Sequence, residues 1–199
     1  MADYQKTNVY TLEQSAEIAS GIAKVRDWFL DRGVEQFHYY VAPNKECLRD
    51  SALVREEPGL SLHRVSGSPW LDESRQGWLD PAQPQVQSYL IGLCRELAQL
   101  GFDEILLTDC GFPTQGDLDS LRAVEEKEET LETFCRQLQG ALADTPVTLS
   151  VMGQRDSVTA DPVSGQTTAL LATFGRVWTQ AEDQEALAAF DPVVLPAVS

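Results

Sequence analysis

The sequence predicts an α/β fold of alternating strands and helices, and three observations carry that reading. Residues 100–113 (Leu-Gly-Phe-Asp-Glu-Ile-Leu-Leu-Thr-Asp-Cys-Gly-Phe-Pro) pass through a helix stop, a buried strand and a carboxylate at the strand's exit. The segment before them places Val86, Tyr89, Leu90, Leu93, Cys94, Leu97 and Leu100 on one face at helical spacing. Downstream, short apolar segments alternate with helical ones, an order that requires parallel strands joined by helical crossovers.

Taken in order, Thr11 to Gln14 forms a capping box, and Leu12, Ala16, Ala19, Ile22, Ala23 and Phe29 make an apolar stripe ending near Gly33, which predicts a first helix. Residues 36–42 (Gln-Phe-His-Tyr-Tyr-Val-Ala) are aromatic and β-branched and are closed by Pro43, which predicts a strand. From Asn44 to Gly77 no period is sustained, so the sequence predicts a long loop over the site mouth. Asp80, Pro81 and Gln83 then read as N-cap, first helical residue and capping-box partner of a helix that runs to Leu100. The strand at 104–109 follows. Glu125, Glu126, Glu128, Glu129 and Glu132 fall around the start of a helix with the stripe Leu131, Phe134, Cys135, Leu138 and Leu142, where negative charge suits the helix dipole. Further strands are predicted at 147–152, 176–180 and 192–198, the last weakened by two prolines, with short helices at 167–174 and 182–190. Five strands do not close an eight-stranded barrel, whose usual length is about 250 residues. The pattern fits either an incomplete barrel lacking upstream strands or an open parallel sheet. No glycine-rich phosphate loop follows any strand, so a nucleotide-binding fold gains no support.

With 199 residues and 43% hydrophobic content the chain can bury a core, and residues 1–199 are expected to form one domain. Thirty-one acidic residues against fifteen basic give a net charge of −16, which repels phosphate backbones and anionic headgroups and argues against nucleic-acid partners. No run approaches the ~20 apolar residues of a membrane helix, and the first residues lack the pattern of a secretion signal, so the chain as written is expected to stay soluble where it is made. Cys47, Cys94, Cys110 and Cys135 have no metal-ligand spacing and only His38 and His63 to assist them, so they are read as structural thiols, with no metal and no cofactor expected.

An aromatic strand at 37–40, then Asp50-Ser51-Ala52-Leu53-Val54, Pro58-Gly59-Leu60, Gly67, Trp70-Leu71-Asp72, Trp78-Leu79-Asp80-Pro81, Tyr89, Glu96, and residues 100–105 leading to Asp109 and Phe112-Pro113 resemble a bacterial family of glycoside hydrolases with a TIM-barrel domain. The likeness runs from about Phe37 to Pro113; beyond it, only the order of strands and helices is shared. In that family an aromatic residue and then an arginine follow the aspartate. Here Asp109 matches, but Cys110 and Gly111 occupy those places.

The resemblance implies a TIM-barrel-like, partial barrel of about five parallel strands that hydrolyses O-glycosyl bonds in a polysaccharide or glycan through paired carboxylates. Asp109 is then one catalytic carboxylate. The second is sought at other strand exits, at Asp156 or at Glu182 with its neighbour Asp183. Without the resemblance, Asp156 reads as a loop turn and Glu182 as a helix start. Tyr40, Trp70, Trp78 and Trp178 are candidate platforms for sugar rings, and equally candidates for packing. Two other readings stand beside this one: a non-catalytic carbohydrate-binding or degenerate barrel, motivated by Gly111, and a subunit whose barrel a second chain completes, motivated by the strand count and implying an oligomer.

Overall fold

The computed structural model describes residues 31–33 and 47–195. The expected first helix (apart from its end at 31–33), the strand at 36–42 and Tyr40 lie outside the described residues. Four parallel strands, β1 (Glu104–Leu107), β2 (Thr148–Met152), β3 (Arg176–Thr179) and β4 (Val193–Val194), form one sheet in the order β1-β2-β3-β4. The register aligns Leu107 with Val151 and Val151 with Val177. Aligned residues share a face, so Ile105, Leu107, Leu149, Val151 and Val177 make one apolar surface, and all five are buried.

That surface belongs to a core shared with two long helices, α2 (Pro84–Gln99) and α3 (Lys127–Leu142), which also pack on each other. Their buried stripes are Val86, Leu90 and Cys94 on α2 and Leu131, Phe134, Cys135, Leu138 and Leu142 on α3, the periods visible in the sequence. Gly101 stops α2 with φ +85°, while the Phe102 N–H reaches back to the Leu97 carbonyl.

The opposite face of the sheet is polar. Glu104 accepts hydrogen bonds from Ser150 Oγ (2.6 Å), Arg176 Nη1 (2.7 Å) and Trp178 Nε1 (2.9 Å), so one carboxylate ties three strands together.

Five elements differ from expectation. Helix α2 starts at Pro84 and not at Pro81, because a proline forces the residue before it out of the helical region, and Gln83 is extended at φ −84°, ψ 125°. Asp80 instead closes the preceding turn by accepting the Ala82 N–H at 3.0 Å. The predicted loop at 44–77 contains a short helix, α1 (Ser51–Glu56), a 3-10 turn (Pro58–Leu60) and antiparallel bridges pairing Arg49 with Trp78, Ser61 with Leu79, and Leu71 with Gly77. Single bridges and a six-residue helix are too short to show a period. The helix expected at 182–190 is a pair of 3-10 turns (Ala181–Asp183 and Ala188–Phe190), anchored by the buried Leu187. A fourth, very short helix, α4 (Thr168–Leu171), precedes β3, and β4 has only two residues beside Pro192. No described helix is long and apolar enough to cross a membrane.

Replacing Glu104 with leucine removes the acceptor of a buried indole N–H and a buried hydroxyl. Urea unfolding is expected to show a loss of about 2 kcal/mol for Glu104→Leu and a smaller loss for Glu104→Gln, which keeps an acceptor oxygen.

Candidate functional site

Asp109 lies two residues past the end of β1, at the C-terminal edge of the sheet, with its backbone in the left-handed region at φ +47°. Aspartate is among the few residues that tolerate that conformation, and here it ends the strand's pairing and turns the chain at its exit. The side chain is 31% exposed.

The chain at 47–49 runs past this turn. Cys47 N–H donates to the Thr108 carbonyl (2.9 Å) and Leu48 N–H to the Asp109 carbonyl (3.3 Å), which brings Arg49 over the carboxylate, Nη1 to Oδ2 at 3.9 Å. The same guanidinium binds Asp72 through Nε at 2.9 Å. Asp72 is itself held by the Gln76 N–H (2.9 Å) and by Trp78 Nε1 (3.2 Å), and its side chain is 13% exposed. Because a guanidinium is a rigid fork only about 2.3 Å across, the facing oxygens of Asp72 and Asp109 are at most about 9 Å apart. Neither Arg49 nor Asp72 was indicated as a site residue by sequence. The only signal was Asp72's place beside Trp70 in the matched segment.

The other candidates are placed as follows. Asp156 stands in the 3-10 turn after β2, and both of its oxygens accept from Ser164, one from the backbone N–H and one from the hydroxyl, each at 2.8 Å. Ser164 in turn accepts the Phe112 N–H on its carbonyl (2.7 Å), which packs this loop against the residues following Asp109. Gln166, fully buried, spans the two strand exits: its Nε2 donates to the carbonyls of Cys110 (2.8 Å) and Met152 (3.1 Å), and its Oε1 accepts the Gln154 N–H (3.0 Å). Glu182 is exposed in the turn after β3, where its neighbour Asp183 faces Arg155 at 3.8 Å.

Trp70, Trp78 and Trp178 are all buried, with indole N–H groups donating to the Asp117 carbonyl, Asp72 and Glu104. They stand in the packed interior, and their ring faces are covered by protein. Gly111 is buried as well; a Cβ there would lie 3.2 Å from both Gln154 Nε2 and the Ser164 carbonyl. An arginine does not fit at that position, and the cation beside Asp109 comes from residue 49.

All four cysteines are buried free thiols. Burial pushes the Cys94 thiol up to about 12. The Cys110 and Cys135 sulfurs lie 4.0 Å apart, and interaction with Cys135 and Cys47 draws the Cys110 thiol down while its two partners are raised. Among the described residues no group of three or more histidine, cysteine, aspartate or glutamate side chains is placed to hold a metal ion.

A parallel sheet backed by helices, with a carboxylate and a guanidinium at the C-terminal rim, is the architecture of a TIM-barrel-like domain seen in part. Residues 9–174 match the family described as "Putative glycosyl hydrolase domain", and the chain belongs to it. No curated protein matches the chain. Among solved structures, it is similar to Ega3 of Aspergillus fumigatus in complex with galactosamine (10% identity, TM-score 0.52, 76% of this chain and 57% of that one), a likeness of fold. It also matches a hypothetical protein from Ruminiclostridium thermocellum at 30% identity, over 51% of this chain, with TM-score 0.45. The glycoside hydrolase domain of PelA from Pseudomonas aeruginosa matches at 14% identity and TM-score 0.47, over 75% of this chain and 63% of that one. The chain spans about half (52%) of the Ruminiclostridium protein's length.

A thiol held near 12 is protonated and unreactive at pH 8, whereas an unfolded cysteine is partly thiolate there. Iodoacetamide at pH 8 is therefore expected to leave Cys94 unmodified in the native protein and to modify it fully in urea, as read by peptide mass spectrometry.

Proposed function

We propose that this chain carries part of a glycan-cleaving site in which Asp109 is one of the two reacting carboxyl groups and Arg49 orients it. The observation that carries the reading is the left-handed turn that presents Asp109, partly exposed, at the rim of a parallel sheet beside a guanidinium clamped by a second carboxylate. Glycosidic hydrolysis uses carboxyl pairs separated by about 5–5.5 Å for retention or about 6.5–9.5 Å for inversion, and the limit of about 9 Å on Asp72 and Asp109 admits either. Asp72 is thus the second carboxylate favoured by geometry. Asp156 and Glu182 are the alternatives at neighbouring strand exits; Asp156, like Asp72, has both oxygens engaged, so the cation shared with Asp109 is what sets Asp72 apart. The ligand class is a polysaccharide or glycan, in keeping with the family description and with the sugar bound to Ega3.

A carbohydrate-binding barrel without hydrolysis is the second reading, favoured by Gly111 where the resembling family has an arginine. The two part on a reducing-end assay over a panel of polysaccharides and aryl glycosides. For a hydrolase, Asp109→Asn is expected to lower turnover by about 10³-fold and Asp72→Asn by at least about 10²-fold, with glycan binding retained. Turnover in Asp109→Asn equal to the unaltered protein's overturns its assignment, and binding without any release of reducing ends by the unaltered protein selects the second reading.

A further inference from the structure

Cys47, Cys110 and Cys135 come from three separate segments and meet directly behind the site. Cys110 follows Asp109 in the chain, and its Sγ lies 4.0 Å from that of Cys135 on α3. Cys47, two residues before Arg49, is the third buried thiol of the cluster and interacts with Cys110. Reduced cysteines pack well as small apolar groups, but packing alone does not call for sulfur-to-sulfur contact between a strand exit and the crossover helix that follows it.

A disulfide has its sulfurs about 2.05 Å apart, so Cys110 and Cys135, at 4.0 Å, need to close by about 2 Å to bond. We propose that Cys110 and Cys135 form a reversible disulfide when the protein meets hydrogen peroxide, tying the turn that bears Asp109 to α3. In the first step the Cys110 thiolate attacks one peroxide oxygen and the O–O bond breaks. Cys110 becomes a sulfenic acid, and the departing hydroxide takes up a proton as water. The Cys135 sulfur then displaces the hydroxyl, the S–S bond forms, and the Cys135 proton leaves with that hydroxyl as a second water. Two thiols lose two electrons in all and one peroxide gains them.

The roles follow from the surroundings. Cys110, drawn down by its two sulfur neighbours, is the first of the cluster to give up its proton, and Cys135, whose thiol is raised, resolves the intermediate. Both sulfurs are buried, so peroxide reaches them through local opening of the packing rather than from the surface.

The test uses the full chain, with no glycan present. After incubation with hydrogen peroxide, free thiols are blocked with iodoacetamide in urea without reductant, and the digest is read by mass spectrometry. A cross-linked peptide pair joining Cys110 to Cys135, resolved by dithiothreitol, with Cys94 still alkylated, is the expected result. Four alkylated cysteines, Cys110 driven to sulfinic acid with no cross-link, or a link that joins Cys110 to Cys47 instead, each overturns the proposal. Because the readout is sulfur chemistry, it is independent of whether the protein cleaves a glycan.

Discussion

The turn at Asp109 is the constraint on which the rim of this sheet depends. A left-handed residue directly after a parallel strand ends the strand's pairing and swings the chain across the top of the sheet. Two sets of hydrogen bonds hold it there. On one side the backbone of Cys47 and Leu48 pairs with the carbonyls of Thr108 and Asp109, and on the other Gln166 takes the carbonyl of Cys110. With the backbone fixed from both sides, the Asp109 side chain is left facing outward toward Arg49 instead of being absorbed into the packing.

Around that point most polar groups serve as scaffold. Asp50 caps α1 through the N–H groups of Ala52 and Leu53 and also accepts the Tyr89 hydroxyl, Asp156 clasps Ser164, and Glu104 links three strands from the face opposite the helices. Trp70, Trp78 and Trp178 belong to this scaffold, each docking its N–H onto a backbone carbonyl or a carboxylate. Trp78 shows how scaffold and site are joined: it holds Asp72, Asp72 holds Arg49, and Arg49 faces Asp109.

What could be seen in the sequence divides along a physical line. Elements with sustained periods, such as α2, α3, β1 and β2, were readable because burial imposes a spacing on the residues themselves, and the rim position of Asp109 followed from a helix stop and a strand of known length. Arg49 and Asp72 were not readable, since Arg49 meets Asp109 across sixty residues and Asp72 across twenty-three, contacts that depend on one-residue bridges that leave no pattern. Aromatic character was ambiguous in the same way. Trp178 sits on the polar face of β3 beside Glu104, and nothing in its immediate neighbours distinguishes that burial from display on a surface. Gly111 departs from the resembling family's arginine, and the guanidinium that does face Asp109 comes from residue 49, far away in the chain.

The most direct test of this arrangement is a crystal structure of the Asp109→Asn protein with an oligosaccharide bound. The account predicts a glycosidic oxygen seated at the C-terminal rim of the sheet between residues 109 and 72, with Arg49 still bridging them. A sugar bound elsewhere, or a residue 109 side chain turned away from the sugar and from Arg49, would contradict it.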